Sequence, residues 1–160
     1  ISGLDNVSLA MHRIADSQSE FCSRGDDSGT HIRERKLWEA AGCDYDDISS
    51  RDNSSWYLSL GQGMGDTLRT ASEMRAYTLT DEATYYALSD SLALEVMIEG
   101  DPMLFNQYGV IPVNASMHPG VNQPLAEQFA DWLTSPETQA MIDDYMKDGR
   151  TLFTANGGQG

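Results

Sequence analysis

Residues 23–30 read S-R-G-D-D-S-G-T, a segment that combines one arginine with hydroxyl side chains and glycines. The guanidinium of Arg24 can present a planar fork of charge-assisted hydrogen bonds to an oxyanion. If Asp27 or Ser28 caps a following helix, the backbone N–H groups of the first helical turn add further donors at the positive end of the helix dipole. The spacing therefore predicts an anion site. An ordinary capped turn, in which Arg24 pairs with Asp26 or Asp27, fits the same spacing equally well.

A second glycine-rich segment, G-Q-G-M-G at residues 61–65, follows an apolar run and precedes a helical pattern. It lacks the lysine of a Walker loop and the full spacing of a dinucleotide-binding loop. We interpret it as a tight turn between a strand and a helix. Ligands of open α/β sheets bind at the carboxyl ends of the strands, so the amide of Gly63 is predicted to face the same cleft as Ser28 and Thr30.

The elements that must hold these two turns alternate between strands and helices. The apolar patterns predict strands at 20–23, 56–60, 76–79, 92–98 and 108–113. They predict helices that begin near residues 6, 28, 64, 80, 121 and 135, and a polar acidic loop over 44–55. This alternation indicates an α/β sheet whose strands are joined by crossover helices.

The chain is strongly acidic, with a formal net charge of −15 over 160 residues. Nucleic-acid binding depends on clustered lysine and arginine, and the sequence has no basic stripe, so we expect neither nucleic acid nor an anionic membrane surface as a partner. No apolar run approaches the ~20 residues that a membrane span needs. We interpret the acid excess as favouring solubility or as reflecting a saline source.

Metal binding and catalysis find little support in the sequence. Cys22 and Cys43 flank the helix predicted at 28–41, whose length of roughly 20 Å argues against a disulfide between them. The three histidines are widely separated, so no metal site is predicted, and His31 is expected to be a partly exposed helix residue. The sequence also lacks a G-x-S-x-G elbow and an H-E-x-x-H motif. We therefore expect no enzymatic activity and no cofactor.

Four segments resemble one protein family. They are F-C-S-R-G-D-D-S-G-T-H at 21–31, G-Q-G-M-G-D-T at 61–67, Y-T-L-T-D-E-A-T-Y at 77–85 and N-Q-Y-G-V-I-P-V-N at 106–114. The family is the tungstate-binding substrate-binding proteins of bacterial ABC uptake systems. In addition, F-A-D-W-L-T-S-P-E-T-Q at 129–139 resembles the C-terminal helix pair of the wider type II periplasmic-binding-protein fold. Phosphate-binding relatives use a similar order of arginine, serine, glycine and threonine, so the first segment alone does not name the anion.

The resemblance implies an α/β, periplasmic-binding-protein-like II fold with one complete lobe, a mixed sheet flanked by helices, and the C-terminal part of the other lobe. It assigns residues 1–19 to a hinge-proximal helix, 20–105 to the second lobe, 106–155 to a return segment that completes the first lobe, and 156–160 to a disordered tail. The chain thus resembles a fragment that lacks the N-terminal part of the first lobe. Because an incomplete lobe exposes apolar sheet faces, we expect the chain to self-associate.

The function implied by the resemblance is the capture of a tetrahedral oxyanion, tungstate or molybdate, and its delivery to an ABC permease. The protein would be periplasmic or extracytoplasmic, either free or anchored as a lipoprotein. Binding would involve no chemistry and no bare metal ion, because an all-donor site suits an oxyanion that carries no proton near neutral pH. The implied anion-binding residues are Arg24, Ser28, Gly29, Thr30, Ser23 and Gly63.

Two other functions remain open on the sequence alone. One is a phosphate- or sulfate-binding protein of the same fold, which a competition titration would separate from a tungstate-binding protein. The other is the effector-sensing domain of a transcriptional regulator, which would require a DNA-binding helix-turn-helix upstream. An enzyme on this fold would need a nucleophile and a base, and no such pair can be named.

Overall fold

The computed structural model describes residues 1–50, 55–147 and 149–157. The chain divides into two compact units, residues 1–106 and 107–160. Both glycine-containing turns lie in the first unit. The boundary falls one residue beyond the end predicted for the second lobe, and the assignment of the units to lobes stays a prediction.

The first unit alternates strands and helices, as predicted. Its elements are α1 (Val7–Ser17), β1 (Phe21–Ser23), α2 (Gly29–Ala40), α3 (Tyr45–Ser49), β2 (Tyr57–Ser59), α4 (Met64–Met74), β3 (Tyr77–Thr78) and α5 (Glu82–Leu88).

Side-chain caps determine where helices of this unit begin. Asn6 Oδ1 accepts the N–H of Leu9 at 2.7 Å at the start of α1. Asp81 Oδ1 accepts the N–H of Thr84 at 2.8 Å at the start of α5. Such caps satisfy backbone donors that a helix leaves without an internal partner. The helix predicted to begin near residue 80 is therefore capped by the carboxylate of Asp81.

β1 is the central strand of a parallel sheet with the order β2-β1-β3. Phe21 of β1 lies opposite Tyr57 of β2 and Tyr77 of β3. Because these strands run in the same direction, the chain leaves β1 and β2 at the same edge of the sheet. The turns that lead into α2 and α4 are therefore neighbours.

Aromatic side chains dominate the core of the first unit. The rings of Phe21 and Trp38 meet edge to face, with 5.0 Å between their centroids, and Phe21 stacks on Tyr57 at 5.9 Å. Trp56 packs edge to face against Trp38 at 5.8 Å. All four side chains are buried. Buried rings in these geometries contribute strongly to stability, and here they hold α2 against β1 and β2.

The second unit contains two helices and a two-stranded antiparallel pair among its described residues. Its helix–helix pair matches the prediction for residues 121–133 and 135 onward, and Asn122 and Ser135 cap the two helices. Much of its apolar surface is exposed: Phe129 and Trp132 pack on each other at 5.6 Å, yet each is 54% exposed. The elements are α6 (Gln123–Leu133), α7 (Pro136–Asp143), β4 (Met146–Lys147) and β5 (Arg150–Thr151).

Several predicted elements are wrong. Neither 92–98 nor 108–113 pairs as a strand with any described residue, because β-branched composition favours a strand only where a partner strand lies beside it. The predicted loop at 44–55 contains α3, which Asp44 caps, and its residues 51–54 lie outside the described part of the chain. The sequence pattern did not predict the β4–β5 pair.

The α/β fold class is confirmed. Within the described residues, the three-stranded sheet is wholly parallel, and antiparallel pairing occurs only in the separate β4–β5 pair. Of the predicted disordered tail, 158–160 lie outside the described residues. The amide of Gly157 donates to Oε1 of Gln139.

Candidate functional site

The loop between β1 and α2 leaves the central strand of the sheet and is bonded to the neighbouring turn. The amide of Gln62 donates to the carbonyl oxygen of Arg24 at 3.1 Å. The amide of Leu60 donates to the carbonyl oxygen of Ser23 at 3.0 Å. Gly25 has a φ of +59°, and a Cβ built there would lie 2.0 Å from Oγ of Ser59. Only glycine combines this backbone conformation with such a close approach.

Arg24 lies in this loop with its side chain 19% exposed. Its Nη2 donates to Oδ2 of Asp26 at 2.5 Å, which confirms the expected pairing of Arg24 with a neighbouring aspartate. Burial by itself raises the pKa of Asp26, but hydrogen bonds from Ser28 and Arg24 outweigh it, so the pKa lies below its usual value. Nε of Arg24 is buried and bonds to no atom of the described residues.

Ser28 is the N-cap of α2. It is one of the two residues predicted for that role. Its Oγ accepts the N–H of His31 at 3.4 Å, and its own N–H donates to Oδ1 of Asp26 at 3.2 Å. The amides of Gly29 and Thr30, the first two of the helix, have no hydrogen-bond acceptor among the described residues. Two free amides therefore stand at the positive end of the helix, beside the free Nε of Arg24.

The loop's interior side is held by a buried histidine. The amide of Asp27, whose φ is +56°, donates to Nδ1 of His31 at 3.0 Å. Because Nδ1 is an acceptor, the proton of the neutral ring is on Nε2, which donates to the hydroxyl of Tyr45 at 2.8 Å. His31 is only 6% exposed. The expectation of a partly exposed histidine is therefore wrong, since the ring points inward to satisfy these partners.

The chain of hydrogen bonds continues to a buried carboxyl group. The hydroxyls of Tyr45 and Tyr57 are 3.2 Å apart, and Tyr57 donates to Oε1 of Glu34 at 2.7 Å. Trp38 Nε1 donates to the same oxygen at 3.2 Å. Burial raises the pKa of Glu34, although hydrogen bonds from Tyr57, Ser23 and Trp38 act in the opposite direction. Glu34 is 2% exposed.

The hydroxyl of Ser23 belongs to the same interior network. Ser23 is fully buried; its Oγ accepts the amide of Gly25 at 3.2 Å, and its hydroxyl hydrogen-bonds to Glu34. The sequence predicted Ser23 as a direct anion ligand, and the structure places its hydroxyl against these internal partners. A direct contact of Ser23 with an anion stays a prediction.

Glu34 and the two tyrosines were missed as site residues. Glu34 shares one face of α2 with His31 and Trp38, at spacings of three and four residues, and a glutamate among apolar neighbours on such a face was a usable signal. Tyr45 and Tyr57 left no such signal. They come from α3 and β2, and only the fold brings them to the helix.

The turn between β2 and α4 is built differently. Gly63 caps α4 without a side-chain hydrogen bond, and a Cβ built there would have no neighbour within 4 Å. The role predicted for its amide in binding the anion stays a prediction. In the first helical turn, Asp66 pairs with Arg69 at 3.0 Å on the exposed surface.

Other kinds of site find little support in the described part of the chain. It contains no group of three histidine, cysteine or acidic side chains able to hold a metal ion. It also contains no helix with the length and apolar character to cross a membrane. Both cysteines are free thiols, as expected. Burial and the neighbouring Glu20 raise the pKa of Cys22 to about 11.

Similarities to known proteins extend over most of the chain. Residues 6–137 match the family described as PBP superfamily domain. The chain is 42% identical over 149 residues to the tungstate-binding protein TupA of Peptoclostridium acidaminophilum, covering 92% of this chain and 50% of that protein. Two solved structures are also similar. The tungstate-binding protein TupA of Desulfovibrio alaskensis is 40% identical with a TM-score of 0.79, covering 98% of this chain and 62% of that one.

The second structure is that of a tungstate ABC transporter protein from Geobacter sulfurreducens. It is 39% identical with a TM-score of 0.75, covering 89% of this chain and 58% of that one. The similarities confirm the resemblance that the sequence motifs indicated. The chain spans about half the length of the curated relatives that it matches.

Proposed function

The chain belongs to the PBP superfamily domain family, and we propose that it binds a tetrahedral oxyanion, tungstate or molybdate, at the N-terminus of α2. In this proposal the anion accepts hydrogen bonds from the Arg24 guanidinium, from the amides of Gly29 and Thr30, and from the hydroxyls of Ser28 and Thr30. The names of the similar proteins support tungstate as the preferred anion.

One observation carries the proposal: Nε of Arg24 is buried and has no acceptor among the described residues. A buried donor without a partner costs about 1–3 kcal/mol, so an acceptor that reaches it gains affinity. The two free amides at the start of α2 lie in the same loop, and an anion at a helix N-terminus is stabilised by both the amides and the dipole. A ligand with several acceptor oxygens fits this set of donors.

The donors at the start of α2 suit an oxyanion that carries no proton, and the neighbouring carboxylate of Asp26 decides whether hydrogen phosphate can compete. Asp26 is the acidic group bonded to Arg24, and its pKa lies below its usual value, so at neutral pH it is an acceptor that orients the guanidinium. Hydrogen phosphate would bring a proton that needs an acceptor, and Asp26 is the group that could supply one. Phosphate is therefore the competitor that the proposal must exclude.

We further propose that the bound anion is handed to an ABC permease outside the cytoplasm. The similarity to proteins named for ABC transport supports this role. Binding and release would involve no covalent step, because the loop supplies hydrogen-bond donors and one positive charge but no nucleophile with an adjacent base.

Isothermal titration calorimetry of the chain with sodium tungstate, repeated with sodium molybdate and in an excess of phosphate, tests the proposal. We expect submicromolar tungstate binding that survives the phosphate. If neither tungstate nor molybdate produces heat or raises the melting temperature, the chain does not have the proposed activity. Binding that phosphate abolishes would instead identify a phosphate-binding protein.

A further inference from the structure

We propose that the buried carboxyl of Glu34 positions the loop between β1 and α2, residues 24–28. It acts through Ser23 on one side and through Tyr57, Tyr45 and His31 on the other. None of these five side chains needs to touch the anion. The inference rests on the proposed function, because it assigns to this network the task of shaping the loop that binds the ligand.

The shorter connection runs through Ser23. The Ser23 hydroxyl hydrogen-bonds to Glu34, and its oxygen accepts the amide of Gly25 at 3.2 Å. Gly25 directly follows Arg24. The buried carboxyl thus fixes the backbone next to the guanidinium through a single intervening side chain.

In the longer connection, every hydrogen bond is donated in the direction of Glu34. Tyr57 donates to Glu34 and its oxygen accepts the Tyr45 hydroxyl hydrogen. The Tyr45 oxygen in turn accepts Nε2–H of His31. Nδ1 of His31 is then left as the acceptor for the amide of Asp27. Each donor in this series has one acceptor, and hydrogen bonds arranged head to tail in a buried site strengthen one another.

Both connections end on residues with an unusual backbone conformation. The two amides that they hold belong to Gly25 and Asp27, whose φ angles are +59° and +56°. Positive φ costs an L-residue such as Asp27 roughly 1–2 kcal/mol, so its persistence requires a compensating contact. The network supplies that contact at both residues.

This conformation determines which donors remain for a ligand. With the amides of Gly25 and Asp27 turned to internal acceptors, and that of Ser28 bonded to Asp26, the next amides in sequence are those of Gly29 and Thr30. These two are free among the described residues. If His31 no longer accepted the amide of Asp27, the loop would no longer present Arg24 and the helix amides in one fixed arrangement.

Paired substitutions at His31 separate positioning from general stability. The side-chain oxygen of His31→Asn can stand at the position of Nδ1 and keep the acceptor for Asp27. The terminal amide of His31→Gln reaches the position of Nε2 instead, so it keeps the bond to Tyr45 and loses that acceptor. Two measurements are made on each variant and on the wild type: hydrogen exchange of the Asp27 amide by NMR without any anion, and the dissociation constant for sodium tungstate.

We expect His31→Gln to exchange the Asp27 amide faster and to bind tungstate roughly tenfold more weakly, the loss typical of removing one partner of a buried hydrogen bond. His31→Asn should stay close to the wild type in both measurements. Tyr45→Phe removes the oxygen that keeps the His31 ring proton on Nε2, so Nδ1 is no longer held as an acceptor and this variant should follow His31→Gln. The amide oxygen of His31→Asn is an acceptor without help from Tyr45. Tyr85→Phe is its control, because the Tyr85 hydroxyl bonds to the carbonyl of Leu94 outside the network.

Each outcome decides between the two proposals. If the wild type binds tungstate and all four variants bind it equally well, the positioning role is wrong and the proposed function stands. Faster exchange at Asp27 with unchanged affinity would show that the network is only structural. If the wild type binds no tungstate, the proposed function fails, while unchanged exchange in His31→Gln and Tyr45→Phe would separately show that the network does not hold the loop.

Discussion

The two turns that lead from the sheet into helices differ in how they are held. The turn after β1 is fixed from inside, by bonds from its amides to Ser23 and His31 and by a glycine pressed against Ser59. The turn after β2 has a glycine cap without a side-chain bond and open space around it. They share an edge of the sheet and glycine-rich sequences, yet only the first carries an arginine with a buried free donor.

Glycine content alone therefore does not identify a binding loop. In the first turn, glycine permits a conformation that other residues then hold in place. In the second, glycine leaves the backbone accessible without internal side-chain support at the cap. We infer that the first turn supplies most of the binding energy and that the second supplies at most backbone contacts. Four comparisons of variants test this contrast.

The largest effect is expected for Arg24→Ala, compared with Arg69→Ala. Both remove one positive charge, but Arg69 is an exposed residue of α4 that pairs with Asp66. Loss of a partly buried charged donor should weaken tungstate binding at least about a hundredfold, whereas Arg69→Ala should change it by less than about threefold. Calorimetry measures both. Equal affinities of the two variants would remove the distinction between the turns.

The second comparison replaces a glycine in each turn. Gly25→Ala introduces a Cβ near Ser59 at a positive φ, and the combined strain should lower the free energy of unfolding by about 2–3 kcal/mol. Gly63→Ala meets no neighbour within 4 Å and should cost less than about 1 kcal/mol. Urea denaturation measures both values. Similar costs at the two positions would show that the first turn is no more constrained than the second.

The third test concerns the pH dependence that Glu34 gives to the first turn. Burial raises its pKa above the usual value of 4.5, so between these two values the folded chain retains a proton that the unfolded chain releases. The contribution is fully present at lower pH. It is lost as pH rises through the folded-state pKa, by up to about 1.4 kcal/mol per pH unit.

In Glu34→Gln this titration is absent, so the stability of the wild type relative to the variant should fall with rising pH. Urea denaturation of both proteins from about pH 4.5 to about pH 8 measures the difference. Glu39→Gln, at an exposed position of the same helix, is the matched control for losing a carboxyl group. A wild-type-to-Glu34→Gln difference that is constant with pH would contradict the predicted direction.

The smallest effects are expected at the two helix caps. Ser28→Ala removes the side-chain cap of α2 and should cost about 1 kcal/mol. Gly63→Ser adds a hydroxyl where α4 has no side-chain cap and should stabilise by a few tenths of that value. Thermal unfolding of the two variants and the wild type measures the sign of each stability change. A gain in Ser28→Ala or a loss in Gly63→Ser would contradict the roles assigned to the caps.

Local features of the first turn could be predicted from the sequence because neighbouring residues determine them. The Ser28 cap and the pairing of Arg24 with Asp26 depend on groups only three and two residues apart. The burial of His31 could not be predicted in this way. Its partner Tyr45 lies fourteen positions away, and Glu34 meets Tyr57 across twenty-three, so only the packing of α2, α3 and β2 brings these groups together.

The same distinction explains the outcome for the fold. The sequence patterns correctly predicted β1, β2, β3 and the helices α2 and α4, and each of these strands has a partner within the first unit. The segments 92–98 and 108–113 have similar composition, but no described strand pairs with them. Composition reports that a segment could form a strand, and pairing depends on a partner that composition does not reveal.

The position of β1 in the sheet has a consequence for the order of folding. Both strands that flank β1, β2 and β3, come later in the chain than β1 itself. A parallel sheet forms through such long-range pairings only after the intervening crossovers are made. The loop between β1 and α2, which contains Arg24, therefore leaves the ribosome well before Tyr57 and the turn after β2, which support it. It can acquire its final shape only once synthesis has passed the turn after β2, where the amide of Gln62 bonds to the carbonyl oxygen of Arg24.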